Sequence, residues 1–115
     1  MHVSFEDFKK LDIRVARVIK AEDHPNADKL YLVTVDLGPD AEGKTVVKTL
    51  VAGIRAHYSK EELIGKFLVV AANLEPAVIR GIASEGMLLA ASDKDKQHLV
   101  VLTVDKPVAP GSKVS

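Results

Sequence analysis

The feature that most constrains this chain is a series of short apolar runs, rich in β-branched residues, each cut by turn residues before it reaches helical length. Ile13–Ile19, Lys29–Leu37, Thr45–Val51, Lys66–Ala72, Met87–Ala91 and Leu99–Val104 all have this form. In the second run Tyr31, Val33, Val35 and Leu37 share one parity, with Thr34 and Asp36 on the other, the period of a half-buried strand. His24-Pro25-Asn26-Ala27-Asp28 and Gly38-Pro39-Asp40-Ala41-Glu42-Gly43 are turn clusters between runs. Helical signals are few. Ser4 is a candidate N-cap before Glu6 and Asp7, with Phe5 and Phe8 on one face. Ser59-Lys60-Glu61-Glu62 is a capping box opening a brief helix that Gly65 ends.

Three strands, a short helix and two further strands predict a mostly all-β fold, a five-stranded Greek-key barrel of the OB type. The barrel is expected over about residues 12–92, within one domain covering 1–115. The run Leu99–Val104 exceeds what that barrel needs and is expected as an extra C-terminal strand. A long apolar edge is a liability that proteins hide. It either packs on its own barrel or, with the Phe5/Phe8 helix, forms a self-association surface. Ile13–Ile19 carries Arg14 and Arg17 on opposite parities, and a bulge or strong coil between them would bring both to one face.

Composition removes several functions. Sixteen basic residues balance sixteen acidic ones, so bulk positive charge does not hold nucleic acid here. The absence of cysteine excludes disulfides, thiolate zinc sites and a cysteine nucleophile. No apolar run approaches the roughly 20 residues of a membrane helix, and Met1–Phe5 lacks a signal-peptide pattern. The expectation is a soluble, cytoplasmic domain. His2, His24, His57 and His98 show no metal-ligand spacing, and His24 before Pro25 reads as a turn residue. Ser84 has Gly86 two residues after it but Ile82 two before, which breaks the nucleophile-elbow pattern. Phosphate-cradling and dinucleotide fingerprints are absent. No catalytic constellation can be named, and neither enzymatic activity nor a cofactor or metal is expected.

The stretch Asn73–Ser92 reads differently. It holds a proline, two glycines, an arginine, a serine and a methionine between two core strands, as a binding rim would. With the face of the middle strands, it gives a candidate RNA-binding set: Arg14, Arg17, Lys29, Asn73, Arg80, Ser84 and Met87. Guanidinium and ammonium groups meet phosphates. Asn73 and Ser84 suit sugar hydroxyls or base edges, and the Met87 thioether can pack on an exposed base. Arg80 stands out because a charge between Ile79 and Gly81 is too costly to bury unpaired. Arg14 and Arg17 could instead pair with Asp12 or Glu22 as solvated strand residues. With five Phe and Tyr and no Trp, base stacking is poorly supplied, which favours a folded RNA over a bare single strand.

His24-Pro25-Asn26-Ala27-Asp28-Lys29-Leu30-Tyr31, Val35-Asp36-Leu37-Gly38, Val51-Ala52-Gly53-Ile54, Asn73-Leu74-Glu75-Pro76 and Arg80-Gly81-Ile82-Ala83-Ser84-Glu85-Gly86-Met87 together resemble one family. It is the tRNA-binding domain appended to methionyl-tRNA synthetases and also found as a small free-standing tRNA-binding protein. The resemblance implies an OB-fold that binds the folded corner of tRNA without strict sequence specificity. It marks Lys29, Asn73, Arg80, Ser84 and Met87 as tRNA contacts. It also implies a homodimer built by segments outside the barrel, serving aminoacylation beside a synthetase. This chain departs from the family pattern at Glu75 and Glu85, where lysine and glutamine are common, and at Val78 and Ile79, where a lysine often stands. Each missing phosphate contact should lower the salt dependence by about one unit of slope. The alternatives are a chaperone-like peptide-binding dimer of the same fold, or a dimerising appendage with a weakened RNA site.

Overall fold

The computed structural model describes all 115 residues. A one-turn helix, α1 (Phe5–Phe8), is capped by the Ser4 hydroxyl, which accepts from the Asp7 amide. The strands β1 (Ile13–Asp23), β2 (Tyr31–Pro39) and β3 (Thr45–Ala52) then form an antiparallel meander. Helix α2 (Lys60–Leu63) leads into β4 (Phe67–Ala71). Beyond it lie β5 (Ala77–Ile79), β6 (Ile82–Ser84), β7 (Met87–Leu88), β8 (Ala90–Ser92), β9 (Leu99–Val101) and β10 (Lys113–Val114). The main sheet runs β3-β2-β1-β4-β7, with β10 added to β1, while β5-β6 and β8-β9 are two-stranded sheets. This is a curled, all-β, OB-like architecture.

β1 is the strand on which the rest is hung. Its first half pairs with β4 from Ile13↔Ala71 to Arg17↔Phe67, and its second half pairs with β2 from Arg17↔Asp36 to Asp23↔Tyr31. Consecutive residues Val15 and Ala16 are both buried, so both faces of the strand are covered at this point. Ala16 belongs to the core with Val33, Val35, Leu50, Leu68 and Val70. Val15 stands outside that cluster, and its backbone donates to Ser112 O and accepts from Gly111 N. The bulge falls between Val18 and Lys20, not between the arginines.

Leu63 carries α2 into the core with no solvent exposure. The expected capping box is present: the Ser59 hydroxyl accepts from the Glu62 amide, and the Glu62 carboxylate accepts from Ser59 N–H and from its hydroxyl. The Ser59 backbone bond, then its hydroxyl, hold the Glu62 carboxyl below its usual value. A lowered carboxyl favours the folded state above the unfolded value and loses that contribution as pH falls through the folded one. In Ser59→Ala the Glu62 carboxyl should titrate closer to an ordinary glutamate by NMR, and stability should fall by about 1 kcal/mol from the lost cap.

Two expectations are corrected and one strand is additional. Met87–Ala91 is two strands broken at Leu89, whose N–H turns to Val69 O while its carbonyl accepts from Leu102 N. The run 99–104 is strand only over Leu99–Val101, paired with β8, so the long apolar edge does not form. β10 was not anticipated, because two residues after Gly111 carry no periodic signal.

Candidate nucleic-acid interface

The rim that follows β4 is a hairpin, not an open loop. Ile79 pairs with Ile82, leaving Arg80 and Gly81 as a two-residue turn with φ of 53° and 87°. Positive φ at both central residues is the type I′ turn that suits twisted hairpins, a turn normally filled by asparagine, aspartate or glycine. Gly81 meets that demand without a side-chain clash. Arg80 meets it with strain, since a long side chain rarely sits in the left-handed region. The arginine is also exposed and takes part in none of the molecule's ion pairs. An unpaired guanidinium held in a strained turn marks a site where geometry serves something other than stability.

The shape of this tip is enforced from the β1–β2 connection. His24, only 4% exposed, places Nε2 3.1 Å from Ile79 O and Nδ1 3.0 Å from the Asn26 amide. The Asn26 side chain donates to Arg80 O at 3.3 Å. Lys29, expected at the start of β2, sits instead in the turn before Leu30. That displacement puts it beside Arg80: the two flank a hollow of about 380 Å³ with Ala27, Asp28 and Leu30. Lys29 makes no ion pair either.

Met87 is 51% exposed and stands on the ridge between two clefts. One, of about 220 Å³, is formed with Leu74, Glu75, Ala77 and Ile79. The other, of about 350 Å³, is lined by apolar residue types and a glycine and runs to Ile54, Leu88, Leu89 and Leu99. A thioether on such a ridge offers a soft apolar surface to a flat or irregular ligand.

Asn73 and Ser84 are engaged with the protein itself. The Asn73 amide accepts from Asp12 N–H at 2.8 Å and donates to Lys10 O at 2.7 Å, fastening the α1–β1 connection to the chain just after β4. Ser84 is 5% exposed; its hydroxyl accepts from Val51 N–H and donates to Gly86 O. Glu85 acts beside it: its carboxylate accepts from Thr49 N–H while its own N–H donates to Thr49 O. Two side chains therefore close β3 onto β6, where a backbone ladder would otherwise be needed. Ser84→Ala leaves the Val51 N–H without its partner, and denaturant unfolding should show a loss of roughly 1–3 kcal/mol. The acidic residue at 85 is thus a strand clip, a role its carboxylate oxygen fills in this position.

Arg14 and Arg17 are not brought together. Arg14 is bound to Asp12 at 2.7 Å and to Gly111 O at 3.0 Å. Arg17 is exposed, and its guanidinium lies 5.6 Å from the Phe67 ring centre. With no bulge between them, strand alternation keeps them on different faces. Two cations missed in the sequence converge on Asp23, next to His24: Lys60 at 3.2 Å and Arg55 at 3.7 Å, the latter also over Tyr31. Nothing local announces this, because Asp23 meets residues more than thirty positions away. No three His, Asp or Glu side chains group to hold a metal, and no helix is long and apolar enough to cross a membrane.

Comparison with known proteins gives one consistent answer. Residues 13–113 match the family model described as "Putative tRNA binding domain". The chain is 53% identical over 114 residues to a methionine–tRNA ligase of Pyrococcus abyssi, covering 99% of this chain and 15% of that protein. The chain thus spans about one seventh of such relatives' length. Among solved structures it is similar to a MetRS-related protein of Pyrococcus horikoshii, with TM-score 0.88 and 30% identity, covering 100% of this chain and 99% of that one. It is also similar to the chaperone CsaA of Bacillus anthracis, with TM-score 0.85 and 30% identity over the whole of both chains. Matched from β1 to β10 by the family model, and built on the same fold as these relatives, the chain belongs to the tRNA-binding domain family.

Proposed function

We propose that this chain is a non-catalytic, structure-specific tRNA-binding module that acts as a homodimer alongside or within a methionyl-tRNA synthetase. The observation that carries the reading is the strained, unpaired Arg80 standing beside the unpaired Lys29 over one hollow. Two neighbouring exposed cations suit two phosphates of a folded backbone. Met87 and the apolar clefts beside it suit an unstacked base or sugar. Arg17 is a further exposed cation in reach of a long ligand, whereas Arg14, Asn73 and Ser84 support the contact surface through their bonds to the chain. The dimer reading is supported by Phe5 and Phe8, 72% and 42% exposed, which line a cleft of about 240 Å³ with Leu11 and Val114.

Titration of labelled tRNA across a salt series tests the proposal. Affinity is expected to fall with a modest slope of roughly −2 to −4 in log–log form, as a few phosphate contacts give. No binding at low salt would overturn it. Sedimentation equilibrium tests the dimer, and a single species of 12.4 kDa would remove that part. A second reading, a peptide-binding chaperone, is favoured by the apolar cleft at Met87 and by the likeness to a chaperone. Suppression of client aggregation without tRNA binding would put it first.

A further inference from the structure

Of the four histidines, His24 alone is buried, and its ring is bonded on both sides. A carbonyl only accepts, so the Nε2 that faces Ile79 O at 3.1 Å must carry a hydrogen. An amide N–H only donates, so the Nδ1 that meets Asn26 N–H at 3.0 Å must carry a lone pair. Both contacts together define the neutral imidazole protonated at Nε2. The ring thereby bridges the β1–β2 connection to Ile79, the residue directly before Arg80.

The hairpin it reaches is weak by itself. β5 and β6 have three residues each, and an isolated two-stranded hairpin is marginal in water. Its base is fastened to β3 through Ser84 and Glu85, but those bonds lie at the end away from the turn. At the tip, the fastenings are His24 to Ile79 O and Asn26 to Arg80 O.

We infer that His24 is the positioning residue of the tRNA contact: a tautomer-specific latch that holds the Arg80 turn in register with Lys29. The inference rests on the tRNA reading above for its functional half, while the latch has its own readout. Three variants, His24→Ala, His24→Gln and His24→Asn, are compared in tRNA titrations over salt, alone and combined with Arg80→Asn. Amide hydrogen exchange of residues 77–84 is followed in the free protein. A glutamine amide can replace the Nε2–H donor towards Ile79 O, whereas asparagine reproduces only the Nδ1 side. His24→Ala and His24→Asn should lose roughly tenfold in affinity and about one unit of salt slope, and should expose residues 77–84 to faster exchange. His24→Gln should recover most of both. Added to Arg80→Asn, His24→Ala should cost little more affinity, because both act through one guanidinium.

Equal losses for the glutamine and asparagine variants, or full additivity with Arg80→Asn, would overturn the inference. Unchanged exchange in His24→Ala would do so as well. If the wild-type chain binds no tRNA, the functional reading fails while exchange still decides whether the latch exists. The glutamine variant guards against misfolding of the alanine one.

Discussion

Replacing Arg80 by asparagine is expected to weaken tRNA binding by at least tenfold while leaving the fold as stable as before, or slightly more so. The two effects separate because the residue combines an unsuitable backbone with a useful charge. At φ 53° in a type I′ turn, asparagine is favoured over arginine, so the substitution relieves strain of order 1 kcal/mol. It also deletes the charge-assisted phosphate contact proposed for this residue, which at roughly 1.5–3 kcal/mol amounts to tenfold or more. The salt dependence should become shallower by about one unit. Thermal unfolding and tRNA titration on one preparation check both halves. A stability loss with unchanged affinity would mean that the guanidinium has a structural role and that the RNA lies elsewhere.

The largest effect on stability is expected at Gly38 and Gly111. Here the end of β2 and the segment before β10 cross with their backbones in contact. A Cβ at Gly38 would overlap the Pro110 carbonyl, and one at Gly111 would overlap the Leu37 carbonyl. Both residues are also at positive φ, 77° and 90°. Neither clash can be relieved by a side-chain rotation, since main-chain atoms stand in the way. Gly38→Ala or Gly111→Ala should therefore cost on the order of 3–5 kcal/mol, at the diagnostic end of single substitutions. The damage should be local first. Residues 111–112 hold Val15 through two backbone bonds, so hydrogen exchange at Val15 and at β10 should rise before the rest of the sheet. Equal denaturation midpoints for wild type and Gly38→Ala would show that the crossing can open at little cost.

The barrel was legible because its core strands obey the period-two rule. Tyr31, Val33, Val35 and Leu37 are all buried as their parity requires, and the capping box at Ser59 formed as its spacing demands. What failed to show was whatever depends on a distant partner. His24 reads locally as a turn residue, and its carbonyl partner at Ile79 lies fifty-five positions on. Ser84 reads as a polar rim residue, and only the approach of β3 converts it into a buried clip. Glu85 looks like a charge opposed to RNA until Thr49 is placed against it. Arg14 and Arg17 have opposite parity and would share a face only with a bulge between them, and the irregularity lies beyond both. Arg80 stands out in the sequence by cost, since a lone cation between apolar neighbours has to reach water, and by its place in the family motif. Its strained backbone adds a second, independent reason.

The way β1 is held has a mechanical consequence. The Ile13 end pairs with Val114, and α1 lies against the same corner, so both chain termini leave the domain side by side. The other end of β1 runs into His24 and the turn that carries Lys29. Eleven strand residues lie between, a span of roughly 30 Å when extended, close to the 31–40 Å dimensions of the whole molecule. Polypeptide joined to either terminus thus leaves from the end of β1 opposite the cationic tip. The strand works as a stand-off between any attached body and the RNA proposed to bind at the tip.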